Sequence, residues 1–441
     1  MSRTQPRTKA EPLTVHIDSM THDGRGVAHV EGRTLLVAGV LPGEEVSVVI
    51  QRKRKDHDEA TVAAVLRAAP ERVEPRCAHF GVCGGCSLQH MAAPAQIHAK
   101  QQTLLENLEH IGKVAPGQVL PPLTGPHWGY RRRARLGVKY VRKKAKVLVG
   151  FREKQGRYLA DLARCEVLHP AVGERLTELG ALIQGLAAFE RIPQIEVAVG
   201  DAAVALVFRN LEPLSEADQA RLKSFGEAHG MQIYLQPQGP DSAYLLWPEA
   251  GALSYRLPEF DIELFFRPTD FTQVNAEVNR HMVSRAVDLL DPQPHERVLD
   301  LFCGIGNFTL PLARRAAEVV GVEGDAALIE RARANAQHNG IGNVRFLAAD
   351  LAAAQAAPAW GEQAFDKVLL DPPRTGADAV LGQVAATGAG RIVYVSCNPA
   401  TLARDAGILV HDHGYRLVSA GVMDMFPHTA HVESIALFER A

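Results

Sequence analysis

With 441 residues, of which 46% are apolar and 22% charged, the chain has a globular composition and exceeds what one hydrophobic core usually serves, so two or three domains are expected. No window holds the roughly 18 uninterrupted apolar residues of a membrane span, and the basic, polar N-terminus lacks the apolar stretch of a signal peptide. Both are therefore excluded, and a cytoplasmic protein is expected. The net charge of −2 hides an asymmetry, because residues 1–160 carry 26 Lys and Arg against 14 Asp and Glu; this predicts either a polyanionic partner or an ordinary solvated surface.

Residues 11–70 predict a small β-barrel. Short apolar runs, some of them alternating, are separated by the turn sequences DGRG, EGR and LPGEE. Several short strands in about 60 residues suit a five-stranded barrel of the OB type, a common nucleic-acid platform. The basic run 51–55 could meet phosphates there, although an ordinary surface hairpin would carry similar charges.

A glycine-rich segment with three cysteines follows the barrel, and a fourth cysteine lies far downstream. These cysteines are Cys77, Cys83, Cys86 and Cys165. In a reducing compartment such a set favours a metal site over disulfides. Four thiolates suit zinc, and three clustered cysteines with a remote fourth also suit an iron–sulfur cluster, with His79 and His90 as conceivable alternative ligands. The spacing leaves the metal open.

Residues 71–265 predict a central α+β domain. Apolar residues recur at helical spacing before Gly112, which predicts a helix over 95–112 that packs on the C-terminal domain. Several short strands follow. The densely basic stretch from Arg131 through Lys146 is predicted to hold phosphates, which would make nucleic-acid affinity salt-dependent.

Residues 266–441 predict an α/β domain, because strands and helices alternate as in a parallel sheet covered by helices. The last two strands are joined by a short connection. They predict an antiparallel hairpin at one edge of the sheet.

Three acidic strand ends and a two-glycine turn predict a cofactor site. The turn Asp300–Asn307 is followed by Thr309, at the position where a nicotinamide site requires a third glycine. The match to a nicotinamide-binding turn therefore fails. Glu323 ends the next strand, placed for ribose hydroxyls, and Asp350 ends the third, placed for an adenine amine. The series resembles the class I S-adenosylmethionine methyltransferases. Cys303, inside the turn, is predicted to be a packing residue.

Two further strand ends carry residues suited to the reaction. Asp371 opens a DPPR motif in which Arg374 replaces the aromatic residue of amine methyltransferases, and this disfavours amine methylation. A strand cysteine is usually structural, but at this edge the Cys397 thiolate can add to C6 of uracil and make C5 reactive. Glu433, on the final strand, is the candidate base for the C5 proton.

Over nearly its full length the chain resembles the bacterial 23S ribosomal RNA uracil-5 methyltransferases, most closely the type with an N-terminal barrel. The resemblance depends on five motifs. They are FTQVN at 271–275, DLFCGIGNF at 300–308, DPPR at 371–374, SCNP at 396–399 and HVE at 431–433.

The resemblance implies a role for each part. Cys397 would be the nucleophile and Glu433 the proton acceptor, while the four cysteines would hold a [4Fe–4S] cluster. The barrel would be a TRAM domain. The protein would be a monomer that binds no membrane, and its substrate would be a single-stranded or loop uridine of 23S ribosomal RNA. Contacts to S-adenosylmethionine would come from Gln273, Phe302, Asn307, Glu323, Asp350 and Asp371.

Two alternatives remain open. The first is methylation of a different ribosomal uridine or of a tRNA uridine; the family's tRNA enzymes are expected to lack the barrel and the cysteine set, which favours ribosomal RNA. The second is a non-catalytic RNA-binding iron–sulfur protein with a vestigial methyltransferase domain. Intact Cys397 and Glu433 argue against it.

Overall fold

The computed structural model describes residues 12–351 and 360–441. The basic N-terminus and the first residue of the predicted barrel, Glu11, lie outside the described residues. Within those ranges, no helix combines the length and the apolar character needed to cross a bilayer.

The N-terminal strands form one mixed sheet that closes on itself. They are β1 (Leu13–His16), β2 (Ser19–Met20), β3 (Arg25–Val30), β4 (Arg33–Ala38), β5 (Glu45–Lys53) and β6 (His57–Arg67). Their order is β1-β5-β6-β4-β3-β2, with β4 and β6 parallel. Because β2 follows β1 after two residues and pairs with β3, while β1 pairs with β5, one stretch of chain joins both edges into a five-stranded barrel.

The cysteine-rich segment leads from the barrel into a long helix, α1 (Ala93–Asn107), whose end widens into a π-helical turn at Leu108–Gly112. This matches the predicted extent, 95–112. A short strand, β7 (Gln118–Val119), comes next.

A six-stranded sheet of order β13-β12-β11-β10-β8-β9 forms the middle of the chain, with α3 against β9 and α4 against β12. The two-stranded ladder β14–β15 follows it. The elements are β8 (Arg133–Val141), β9 (Lys146–Gly150), α2 (Pro170–Gly173), α3 (Leu176–Gln184), β10 (Gln194–Val199), β11 (Val204–Arg209), α4 (Glu216–His229), β12 (Met231–Gln236), β13 (Tyr244–Trp247), β14 (Leu253–Leu257) and β15 (Ile262–Phe266).

The C-terminal part is an eight-stranded sheet of order β18-β17-β16-β19-β20-β22-β21-β7. Its elements are α5 (Ala276–Leu290), β16 (Arg297–Leu301), α6 (Thr309–Ala313), β17 (Glu318–Glu323), α7 (Ala326–His338), β18 (Val344–Ala348), β19 (Lys367–Leu370), α8 (Asp378–Ala386), β20 (Arg391–Ser396), α9 (Pro399–His411), β21 (Tyr415–Met423) and β22 (Glu433–Arg440).

Strands β16 to β20 are parallel, as predicted, so their carboxyl ends meet at one edge of the sheet. The predicted hairpin β21–β22 is also present, but β22 lies inside, next to β20, and β7 occupies the edge. Since β22 is antiparallel to β20, its first residue comes to the edge where β20 ends. This arrangement places Glu433 beside Cys397.

Helix α1 lies on the C-terminal sheet, against α9 and β21. A side chain at Gly112 would not fit, because a Cβ there would collide with Ala403 O. A residue that reads as a helix stop in the sequence is therefore also a packing contact between α1 and α9.

Candidate active site

The turn after β16 brings the backbone close to the carboxyl edge of the sheet. Phe302, Gly304 and Gly306 have φ angles of 66°, 54° and 96°, a region that L side chains rarely adopt. The amides of Phe302 and Cys303 both donate to Val322 O, at 2.8 and 3.1 Å. An aromatic residue held in this conformation stores strain of a kind found at ligand sites.

Four carboxylates gather around this turn. Asp300 is fully buried and accepts a hydrogen bond from the Thr309 hydroxyl at 2.5 Å, while its Oδ1 has no partner among the described residues. Burial, with a smaller contribution from Glu323, raises the pKa of Asp300 to about 7. Desolvation, then the charges of Glu433 and the other two carboxylates, raises the pKa of Asp371 well above its usual value. A cationic ligand would relieve this repulsion.

The two residues predicted to recognise a nucleoside end adjacent strands. Glu323 accepts hydrogen bonds from the Gly304 and Asp325 amides, each at 3.1 Å, so it already holds the turn together. A carboxylate has about four acceptor sites, which leaves capacity for ligand hydroxyls. Asp350 is exposed and follows β18 by two residues.

Asn307 is committed to protein partners. Its amide exchanges two hydrogen bonds with Asn279, at 3.0 and 3.1 Å, and its Oδ1 accepts from the Tyr255 hydroxyl at 2.9 Å. Gln273 is half-buried just before α5, next to the strongly exposed Phe271. Cofactor contacts by Asn307 and Gln273 stay predictions.

Cys397 occupies the end of β20, immediately before Asn398, the N-cap of α9. Burial, with the charges of Glu433 and Asp371, raises the pKa of the Cys397 thiol to about 11, while Arg374 opposes the shift. The N-terminus of a helix also favours a thiolate. The thiol is therefore protonated at rest, but it is placed where cations can activate it.

Glu433 is 6% exposed and comes directly opposite Cys397 when the β20–β22 register is extended by one residue beyond the Ser396–Ser434 pair. Its Oε1 accepts from His431 Nε2 at 3.0 Å, and Arg374 donates to His431 Nδ1 at 3.4 Å. Burial raises the pKa of Glu433, as a base working near neutral pH requires.

Sequence reasoning missed the buried cation behind this base. Lys100, on α1, donates to Asp424 Oδ1 at 2.7 Å, and both side chains are at most 2% exposed. Burial lowers the pKa of Lys100, and Asp424 opposes that shift. A signal was available, because Lys100 interrupts the apolar face between Ile97 and Leu104 of a predicted helix.

The four cysteines predicted to bind metal line one cavity. Burial raises the pKa of the Cys86 thiol to about 12, and the other three cysteines add to the shift. The Gly85 amide donates to Cys83 Sγ at 3.4 Å. As the described side chains stand, however, no group of three His, Cys, Asp or Glu residues is arranged to hold a metal ion. The structure brings the four thiols to one cavity, and a metal bound there stays a prediction.

The two histidines considered as alternative ligands have other contacts. His79 Nε2 accepts from the Ala163 amide at 3.0 Å, although its ring lines the cavity. His90 is buried with its Nε2 3.4 Å from Val40 O. Neither contact favours them over the thiols.

The basic run at 131–133 is not the free phosphate-binding surface that its sequence predicted. Arg132 donates to Gly200 O and pairs with Asp201 at 2.6 Å, while Arg133 donates to Pro268 O. All three arginines are partly buried, and Arg131 donates to Arg133 O. Charge clustering in sequence could not reveal these local partners. The barrel run 51–55, by contrast, is exposed throughout.

Comparison with known proteins gives consistent matches. The family described as tRNA (Uracil-5-)-methyltransferase matches residues 200–441. A protein of Alkalilimnicola ehrlichii named 23S rRNA (uracil(1939)-C(5))-methyltransferase RlmD is 59% identical over 441 residues, which are 100% of this chain and 99% of that protein. One of the same name from Methylococcus capsulatus is 56% identical over 432 residues, 98% of each chain.

A solved structure also resembles the whole chain. It is the Pyrococcus abyssi tRNA (uracil-54, C5)-methyltransferase in complex with S-adenosyl-L-homocysteine, 25% identical with a TM-score of 0.71, covering 97% of this chain and 100% of that one. The unmatched 3% is shorter than the barrel. The expectation that tRNA enzymes lack the barrel is therefore wrong for this relative.

Proposed function

The chain belongs to the family of RNA uracil-5 methyltransferases, and on that premise we propose that it methylates C5 of one uridine in 23S ribosomal RNA, using S-adenosylmethionine. The observation that carries the proposal is the placement of Cys397 and Glu433 at neighbouring strand ends, beside the three other carboxylates of the turn. A nucleophile and a base so placed suit covalent catalysis followed by proton removal.

S-Adenosylmethionine, when bound, supplies a methyl group on a cationic sulfur. The desolvated carboxylates at the turn support a cationic ligand of this kind. We assign the cofactor contacts to the edge of the sheet where β16 to β19 end and to the segment before α5. The residues proposed are Gln273, Phe302, Asn307, Glu323, Asp350 and Asp371.

Cys397 begins the reaction on the RNA. Its thiolate adds to C6 of the uracil, and the π electrons of the C5–C6 double bond then form the bond from C5 to the methyl group, while the bond between that methyl group and the cofactor sulfur breaks. The charge of Arg374 and the N-terminus of α9 favour the thiolate. The target base must first leave its stack, which costs a few kcal/mol and least in a loop.

Glu433 completes the reaction. Its carboxylate takes the proton from C5, the C5–H electrons re-form the C5–C6 double bond, and the C6–S bond breaks to return the thiolate to Cys397. His431, with Arg374 donating to its Nδ1, carries its proton on Nε2 and holds Glu433 by donating to it.

Ribosomal RNA is the substrate that the relatives' names support, because proteins named for uracil 1939 of 23S rRNA match the chain end to end. We propose that residues 11–70 form a TRAM-type RNA-binding barrel whose exposed run 51–55 meets phosphates. The central unit, 71–265, and the methyltransferase unit, 266–441, would complete the RNA surface of a monomer in the cytoplasm. The alternative of a non-catalytic RNA-binding iron–sulfur protein does not fit a chain that belongs to a family of methyltransferases.

Substrate choice is tested with two transcripts: a 23S rRNA fragment around the position equivalent to uracil 1939, and a full-length tRNA. With S-adenosylmethionine present, we expect C5 methylation at one uridine of the fragment, with kcat/KM at least about 100-fold higher than for the tRNA, a difference of roughly 2.7 kcal/mol. Mapping by nuclease digestion and mass spectrometry locates the methyl group. Preference for the tRNA would overturn the substrate assignment but not the reaction.

The thiol-lined cavity supports a [4Fe–4S] cluster as the metal group. A [4Fe–4S] cluster takes one thiolate at each of its four iron corners, and the cavity is lined by four cysteines. Nearby amides, such as that of Gly85, are suitable donors to cluster sulfurs.

Metal analysis of protein purified without oxygen is expected to find about four iron and four sulfide per chain. Cys165→Ser, which removes the remote ligand, should lower both, whereas Cys303→Ser, at a buried cysteine outside the cavity, should leave both unchanged. A result of one zinc ion and no sulfide per chain would show that the cysteines bind a single metal ion and not a cluster.

A further inference from the structure

The connection between β21 and β22, residues 424–432, ends at the proposed base, Glu433. We call it the base strap. It has neither helix nor strand structure, so its path depends on contacts with other parts of the chain. Those contacts come largely from residues 87–130, more than 290 positions away in sequence.

The cysteine-rich segment holds the middle of the base strap. The amides of Ser87 and Leu88 both donate to His428 O, at 2.9 and 3.0 Å, and Ser87 Oγ accepts from the Ala430 amide at 3.1 Å. Ser87 directly follows Cys86. A change in the backbone at the thiol cavity would therefore reach the strap through a single peptide bond.

Gln96, on α1, ties the same point to the helix. Its side chain is 1% exposed, its Oε1 accepts from the His428 amide at 2.8 Å, and its Nε2 lies 3.2 Å from His428 Nδ1. The same Nε2 donates to Leu88 O and Met91 O, at 3.0 and 2.7 Å. Removing this amide would leave several buried groups unpaired, at about 1–3 kcal/mol each.

Two further side chains hold the part of the strap that precedes His428. Lys100 donates to Phe426 O at 3.0 Å as well as to Asp424, and the Tyr130 hydroxyl donates to Pro427 O at 3.1 Å. The strap thus has little freedom of its own. The contacts from outside the C-terminal sheet reach along the strap as far as Ala430, three residues before Glu433.

We infer that Gln96 and Ser87 are positioning residues for Glu433, so that loss of their contacts slows removal of the C5 proton more than formation of the methylated adduct. The inference depends on the proposed function. Cys397 lies between β20 and α9, and the side-chain hydrogen bonds of Gln96 and Ser87 named above reach neither element, so thiolate addition should be nearly unaffected. A base displaced by about 1 Å can lose about 10²-fold in rate.

The test follows one turnover with ordinary 23S rRNA fragment and methyl-labelled S-adenosylmethionine, measuring the SDS-resistant RNA–protein complex over time. For Gln96→Leu we expect the labelled complex to form within about twofold of the wild-type rate and to decay about 10- to 100-fold more slowly. Gln102→Leu, at an exposed position of the same helix, should match the wild type.

Ser87→Ala is a milder second variant that removes one hydrogen bond. We expect decay of the labelled complex to slow at the same step, but by a smaller factor than in Gln96→Leu. Equal slowing of formation and decay, or unchanged decay in the folded variants, would overturn the inference. RNA that contains 5-fluorouridine should hold the wild-type chain in a stable adduct, because fluorine cannot leave C5 as a proton. Failure to form that adduct would instead refute the proposed function.

Discussion

Replacement of Cys397 by serine should lower methyl transfer by roughly 10⁴-fold or more, the scale on which loss of a covalent nucleophile is felt. A hydroxyl in the same place is far less ionised than a thiol, so it cannot add to C6, and C5 stays unreactive toward the methyl group. Single-turnover transfer of labelled methyl to the 23S rRNA fragment measures the loss. Binding of RNA and of cofactor should stay within about threefold, because the substitution changes one atom.

Cys303→Ser is the matched control. This cysteine lies in the cofactor turn, is 4% exposed, and has its thiol pKa raised well above the usual value by burial. It should keep methylation activity and the stable adduct with 5-fluorouridine RNA, which forms because fluorine cannot leave as a proton. Full turnover by Cys397→Ser, or loss of the adduct in Cys303→Ser alone, would remove Cys397 from the mechanism.

The thiol gives the same reaction a pH signature. Since the pKa of Cys397 is about 11 in the chain alone, the thiolate fraction rises about tenfold for each pH unit below that value. Adduct formation with 5-fluorouridine RNA should therefore accelerate as pH rises through the neutral range. A rate that falls with pH would mean that the protonated thiol is the active form.

Much of this site was predictable because the residues that end parallel strands lie at one edge of the sheet. Glu323, Asp371 and Cys397 each end a strand in sequence, and the carboxyl ends of neighbouring parallel strands share one edge. No long-range information was needed to bring them together. The single antiparallel strand, β22, then added Glu433 from its amino end.

The contacts behind Glu433 were not predictable in the same way. Lys100 and Asp424 are 324 positions apart, and Gln96 and His428 are 332 apart, so neither pairing follows from local pattern. Periodicity predicts which face of α1 is buried, but not which strand or loop covers it. A lysine on that buried face indicates that a partner exists without saying which residue it is.

Charge pattern was the least reliable guide. The arginines 131–133 looked like a phosphate site, yet each donates to a neighbouring protein group. Residues 51–55 have the same character in sequence but lie exposed on the barrel. A run of cations predicts a basic surface only where acids and carbonyls nearby do not neutralise it, and that depends on tertiary structure.

Replacement of Glu433 by glutamine should trap the reaction after methyl transfer. Glutamine keeps the size of the side chain but cannot accept the C5 proton, so the methylated adduct should form at close to the wild-type rate. It should then decay about 10²- to 10⁴-fold more slowly, the usual contribution of a positioned base.

The complex to be measured is the SDS-resistant one with ordinary uridine RNA, which the wild type should hold only transiently. Glu439→Gln, on the same strand but paired with Arg391 and Arg416, is the control and should turn over normally. Rapid release by Glu433→Gln would show that another group removes the proton. Asp371 would then be the first to test, because it is the other carboxylate whose charge reaches Cys397.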